Sequence, residues 1–257
     1  MSQNHKNTDL IVALDYSRPE HAWTLVEALQ GLPVIYKVGF ELFLSGGPDF
    51  VKELVHRKNR VFLDLKFHDI PNTVARAARQ AALLHVEMFT LHLAGGREMV
   101  KAVANELADI ETIRPKILGV SVLTSFDDVR WAEVTKSLTG HAADTTSSVH
   151  GLVEHSTSWG ADGVVCSAME LEILKKNFPA LYTVVPGIRP AGSPSNDQAR
   201  VMTPAQAHAA GASAIVVGRP ITASQEPRAA AASILADLGK KDLAANSLPR
   251  EALKQTR

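Results

Sequence analysis

Along the chain, short apolar runs alternate with longer stretches whose apolar positions recur every three or four residues, a rhythm that predicts buried strands followed by helices. Residues 10–14 (LIVAL) predict a strand ending on Asp15, and 19–29 the helix behind it. Residues 34–38 (VIYKV) predict a second strand with Lys37 near its end, and 39–57 a helical hairpin broken by Gly46-Gly47-Pro48. A third strand opens at Val61, an alanine-rich helix covers 75–84, and a fourth strand, 88–93, stops at Gly95-Gly96 before a helix reaching Ala108. The fifth strand is predicted at 116–123. Residues 126–159 are long for one crossover and predict two helices, 127–134 and 146–159. Strands at 164–166, 182–185 and 213–217, with helices at 169–177, 204–210 and 225–238, complete the order, and 186–194 is the clearest loop. About eight strand–helix units with short connections and no break in composition predict a single-domain α/β fold, a (β/α)8 TIM barrel spanning 10–239. A polar arm (1–9) precedes it and a charged tail (240–257) follows. A doubly wound open sheet is the alternative, and the lack of GxGxxG after the first strand counts against it.

The stretch 61–73, VFLDLKFHDIPNT, organises the rest. Period-2 alternation points Asp64 and Lys66 to one face and Leu63 and Leu65 to the other. Buried charges are costly unless they meet partners, substrate or water. Charge at the C-terminal end of a strand is where α/β enzymes keep their chemistry. Asp15, Lys37, Asp64, Lys66 and Thr124 all fall at such ends, so a parallel barrel brings them to one mouth, with Lys37 beside Asp64 and Asp64 beside Lys66. The bland reading of this row is an ion network that only satisfies its own charges. Asp69 lies past the strand, and Pro71 starts the next helix.

Composition narrows the partners. The chain has 257 residues, is 46% hydrophobic and 21% charged, and carries no formal net charge at a pI near 7.2. Such a balance sets no field to attract nucleic acid or an anionic membrane, so any anion must be caught locally. The first ten residues lack the apolar core of a signal peptide, and no run approaches the roughly 18 residues of a membrane span. Cys166, the single cysteine, sits in the apolar run VVCSA and reads as a buried structural thiol, which fits a reducing cytoplasm.

A local anion site is expected where Pro186-Gly187-Ile188-Arg189-Pro190, the loop through Gln198, and Gly218-Arg219-Pro220 meet. Barrels often hold phosphate between the loops after strands seven and eight, where glycine admits the backbone and arginine offers a planar fork. His92 lacks the neighbours of a metal ligand and reads as a packed or supporting histidine, and His68 as a turn or surface group. Ser147 and Ser148 read as helix-start residues.

Taken together, DLKFHDIPNT, the VLTS of Val122 to Ser125, PGIRP, LIVALD and VVGRPI resemble the orotidine 5'-phosphate decarboxylase family over nearly the whole barrel. The DxKxxD core is shared with relatives acting on sugar phosphates, while IPNT and PGIRP separate them. The resemblance implies a cofactor-free and metal-free decarboxylation of orotidine 5'-monophosphate to UMP. Within it, Lys66 gives the proton to C6, Asp64 lies beside the substrate carboxylate, and Lys37 and Asp15 hold ribose hydroxyls with Thr73 assisting. Thr124 meets the polar edge of the pyrimidine, Gln198, Gly218 and Arg219 hold the phosphate, and Arg189 lies in a mobile loop. Asp69, Ile70 and Thr73 reach the neighbouring subunit's site, which implies a homodimer. An Mg2+-dependent sugar-phosphate decarboxylase or aldolase is the first alternative, and a non-catalytic phosphate-ligand-binding barrel the second.

Overall fold

The computed structural model describes residues 8–190 and 202–240. Eight parallel strands close in sequence order: β1 (Asp9–Ala13), β2 (Val34–Gly39), β3 (Arg60–Phe67), β4 (Met88–His92), β5 (Lys116–Val120), β6 (Gly163–Val165), β7 (Tyr182–Val185) and β8 (Ala214–Val217), with β8 pairing back onto β1. The connecting helices are α1 (Pro19–Ala28), α2 (Phe40–His56), α3 (Pro71–Leu83), α4 (Gly96–Glu106), α5 (Asp128–Thr139), α6 (Thr145–Glu154), α7 (Ser156–Trp159), α8 (Ala168–Asn177), α9 (Pro204–Ala209), α10 (Arg219–Thr222) and α11 (Pro227–Asp237). This is the single-domain (β/α)8 barrel expected from the sequence. The break inside α2 falls at Gly47, whose φ of 65° is open to glycine, and Pro48 restarts the helix.

The crossover at 126–159 holds three helices. Asp127 caps the first by accepting from the Arg130 N–H, and Asp144 caps the second by accepting from the Ser147 N–H. Ser147 and Ser148 therefore lie in the first turn of α6, two and three residues past its first residue, Thr145, as helix-start residues. The fifth strand stops at Val120, three residues early, and Ser121 to Thr124 leave the ladder.

Alternation explains the core. Inward positions Ile11, Ile35, Phe62, Met88, Leu118 and Val184 form one buried cluster inside the barrel, while the outward positions pack with the helices into a second, larger one. Below the inner cluster, the strand starts carry a charged floor. Arg60 donates to Asp9 at 2.9 Å and to Glu87 at 2.6 Å, and Lys240 donates to Asp9 at 2.9 Å. Burial alone would raise the Asp9 carboxyl, yet the hydrogen bonds from Arg60 and Lys240 hold it below the usual carboxylate range. Thus Asp9 belongs to β1, and Lys240 is tied to the barrel base.

At the β6–β7 pair, Gly163 lies against Tyr182 so closely that an added Cβ would collide with the Tyr182 carbonyl oxygen and side chain. Relief would need a backbone shift inside a closed ladder. Gly163→Ala is expected to destabilise the fold by about 1–3 kcal/mol, seen as a lower urea midpoint at unchanged slope.

Candidate active site

The same alternation, carried past the strand ends, builds the mouth. On β1 the inward series ends at Asp15, on β2 at Lys37, and on β3 it runs Phe62, Asp64, Lys66. A cavity of about 140 Å³ opens here, lined by Lys37, Asp64, Lys66 and Thr124 over an apolar floor that includes Phe62, Val120 and Val184. Asp15 faces the adjoining pocket, which it shares with Lys37, Asp64 and Lys66.

Four charges form a chain across this mouth. Lys37 Nζ lies 3.0 Å from Asp15 Oδ1 and 3.8 Å from Asp64 Oδ2, and Lys66 Nζ lies 2.8 Å from the same Asp64 oxygen. The side chains of Lys37 and Asp64 are each 13% exposed and that of Lys66 28%, whereas Asp15 stands 62% exposed at the rim. Signs alternate along the row, so each inner charge has an opposite neighbour. Lys66 Nζ is also 5.9 Å from the centre of the Phe40 ring, on the rim side, within cation–π range.

The backbone beneath Lys66 departs from a regular strand. Leu63 pairs with Phe89 and Phe67 with Leu91, so four steps along β3 are matched by two along β4. Within this bulge Lys66 takes a φ of 43°, the left-handed region that a lysine seldom enters. Its amide donates to the side chain of Thr90 at 2.9 Å, and the Thr90 hydroxyl in turn donates to Asp64 Oδ1 at 2.9 Å. Thr90 is fully buried. Reading the charged residues alone passes over it. The available signal was the inward series Met88, Thr90, His92 on β4, which places a hydroxyl at the level of Asp64.

Above Thr90, the His92 ring lies 5.2 Å from that of His68. Burial first, then the nearby His68 and Lys66, lower His92 below the ordinary histidine range, so it is neutral at pH 7. Among the described residues, no group of three or more His, Cys, Asp and Glu is placed to hold a metal ion. Cys166 is wholly buried and its thiol is pushed up by that burial, the behaviour of a structural residue.

The remaining candidates are spread more widely. Asp69 is exposed beyond the strand, where its Oδ1 accepts from the Ile70 N–H at 2.6 Å. The N-cap of α3 is Ile70, without a side-chain cap, so Asp69 does not serve as that cap. Ile70 is 66% exposed and Thr73 lies on the exposed first turn. Gly218 sits close to Asp15, 3.7 Å from its Oδ2 to the position a Cβ would take, and Arg219 begins α10 immediately after. Arg189 is buried, with its guanidinium donating to the Ile188 carbonyl and its amide to Met202 O. Gln198 lies outside the described residues.

The chain is similar to known proteins over most of its length. The profile of the orotidine 5'-phosphate decarboxylase/HUMPS family matches residues 8–234. The orotidine 5'-phosphate decarboxylase of Actinobacillus succinogenes is 45% identical over 233 residues, covering 90% of this chain and 98% of that protein. That of Legionella pneumophila is 44% identical over 230 residues, covering 89% and 98%. The crystal structure of orotidine 5'-phosphate decarboxylase from Lactobacillus acidophilus superposes with a TM-score of 0.78 at 36% identity, covering 90% of this chain and 99% of that one. With the profile spanning the barrel and these relatives matched almost end to end, the chain belongs to the orotidine 5'-phosphate decarboxylase family.

Proposed function

We propose that this protein removes CO2 from orotidine 5'-monophosphate to give UMP, without a cofactor. The observation that carries the reading is the Asp15–Lys37–Asp64–Lys66 chain, which sets a fixed ammonium at the edge of a small apolar-floored cavity. When the bond from C6 to the carboxylate breaks, its electron pair stays on a carbon that the ring delocalises poorly. An ammonium already in place stabilises that charge and then transfers its proton to C6, leaving a neutral amine that regains a proton from water. The apolar floor lowers the local dielectric and strengthens this interaction.

In this reading, Asp64 lies beside the departing carboxylate and Lys37 and Asp15 bind ribose hydroxyls. Thr124 reads the polar edge of the ring. The phosphate rests at Gly218 and Arg219 with Gln198, and Arg189 lies in the mobile loop that the family resemblance implies. Binding the phosphate far from C6 contributes to closure and so to the chemical step. A cytoplasmic setting accompanies this role.

The test is to follow the ultraviolet absorbance of orotidine monophosphate with purified protein in EDTA. Turnover is expected. No turnover would reject the reading, and Mg2+-dependent turnover of a keto-gulonate phosphate would move the protein to the sugar-phosphate branch.

The active unit in this reading is a homodimer in which Asp69, Ile70 and Thr73 complete the neighbour's site. Asp69 has left the strand and points to solvent, and exposed Ile70 and Phe40, at 66% and 55%, offer apolar surface at the rim. Mixing Lys66→Ala and Asp69→Ala chains checks this. Random exchange in equal amounts gives about a quarter of wild-type activity, since half the dimers carry one intact site. Heterodimers that form without restoring activity would exclude shared sites.

A further inference from the structure

The proposed reaction asks the Lys66 ammonium to be in place before the bond breaks, and a long lysine side chain has many rotamers in which it is not. The structure contains a device that answers this need. Starting at the Lys66 amide, hydrogen bonds run to Thr90 Oγ1 at 2.9 Å, from the Thr90 hydroxyl to Asp64 Oδ1 at 2.9 Å, and from Lys66 Nζ to Asp64 Oδ2 at 2.8 Å. The path begins and ends on the same residue. Backbone and ammonium of Lys66 are thereby fastened to one carboxylate through one hydroxyl.

We infer that Thr90 is a positioning residue for the decarboxylation, its hydroxyl holding both the left-handed backbone of Lys66 and the rotation of the Asp64 carboxylate. This inference rests on the decarboxylase reading above. Three observations support it. Lys66 has a φ of 43° inside a strand, and such strain persists only where the surroundings hold it. The two-residue slip between β3 and β4 leaves the Lys66 amide to be satisfied by a side chain, and Thr90 supplies the acceptor. Thr90 is fully buried amid Met88, Phe89 and Leu91, where a hydroxyl is out of place unless both its donor and acceptor functions are used, as they are here. Valine has the same shape and can do neither.

Shape and hydroxyl separate cleanly by substitution. Thr90→Val keeps the volume and removes the hydroxyl, while Thr90→Ser keeps the hydroxyl and removes a methyl. The experiment measures kcat and KM for orotidine monophosphate, the melting temperature, and hydrogen exchange of the Lys66 amide by NMR for wild type and both variants. For Thr90→Val, kcat is expected to fall about fiftyfold or more with KM within about threefold, because the phosphate grip is elsewhere. Exchange at the Lys66 amide should quicken by about tenfold or more as its buried acceptor disappears. Thr90→Ser should stay within about fivefold of wild type in kcat and leave the exchange unchanged. A packing role reverses this order, with valine active and serine impaired, and would overturn the inference. Equal losses in both variants, or none in valine, would overturn it too. Should Thr90→Val fold poorly, Thr90→Ala removes the hydroxyl without adding an apolar methyl in its place and is read against serine. If wild type itself fails to turn over the substrate, the functional reading fails, and the exchange comparison still decides whether the hydroxyl holds Lys66.

Discussion

Lys66→Ala is expected to lower kcat by at least about a hundredfold while UMP binding stays within a few fold. The ammonium is the group that meets the developing carbanion, and the other lysine lining the cavity cannot replace it. Lys37 is held between Asp15 at 3.0 Å and Asp64 at 3.8 Å, which fixes it on the β2 side of the mouth. Nothing shifts into the space left by the missing side chain except water, which is both a weaker acid and a poorer partner for a carbanion. Phosphate binding is proposed at Gly218 and Arg219, on the β8 side, so affinity for UMP should survive. Single-turnover loss of substrate absorbance gives the chemical step, and calorimetry with UMP gives the affinity. A variant within about tenfold of wild type in the chemical step would remove Lys66 from the role of donor.

Asp64→Asn should cost nearly as much, roughly a hundredfold or more in kcat, although the ammonium is still present. Asp64 accepts on both oxygens: Oδ1 takes the Thr90 hydroxyl at 2.9 Å, and Oδ2 takes Lys66 at 2.8 Å with Lys37 at 3.8 Å. An asparagine has one acceptor oxygen. Whichever way its amide turns, its NH2 faces either a hydroxyl already committed to the Lys66 amide or an ammonium. The negative charge between two lysines is lost as well, and like charges a few ångströms apart in a half-buried site repel by several kcal/mol at an effective dielectric of about 20. Lys66 should then swing toward solvent. Steady-state kinetics with a crystal structure of the variant checks both halves, and an Asp64→Asn enzyme within about tenfold of wild type would show that the carboxylate does not set the ammonium.

How far the sequence discloses this site depends on which residue is asked about. The strands β1 and β8 carry short, continuous apolar runs, LIVA and AIVV, whose length and flanking turn residues mark them as buried parallel strands. Because all strands run parallel, every charged residue at a strand end falls at one mouth, so Asp15, Lys37, Asp64 and Lys66 could be brought together from sequence position alone. The bulge under Lys66 could not be read. Alternation treats 64 and 66 as ordinary neighbours on one face, and a left-handed lysine leaves no mark in composition. Thr90 was within reach, since a hydroxyl in MFTLH is conspicuous, but its partners lie 24 and 26 residues away on another strand. The four-residue α10 is too short for any periodicity to announce it. The helices between β5 and β6 blur because the capping groups, Asp127 and Asp144, are ordinary polar residues until the turns they cap are known.

The closure of β8 onto β1 shapes how the chain reaches its fold. Leu10 pairs with Ile215, and Thr8 donates to the Ala212 carbonyl across 204 residues of sequence. Contacts at that separation must pay loop-closure entropy before they return anything, so they form late and slowly. During synthesis β1 emerges first and waits with one ladder edge open until the last strand leaves the ribosome. The growing sheet meanwhile carries a second open edge at whichever strand is newest. Unpaired edges of this kind recruit other chains. The apolar face of β1, with Leu10 and Val12, is therefore the surface a chaperone would shield longest, and the Asp9–Lys240 contact joins the two ends of the described barrel only after that wait is over.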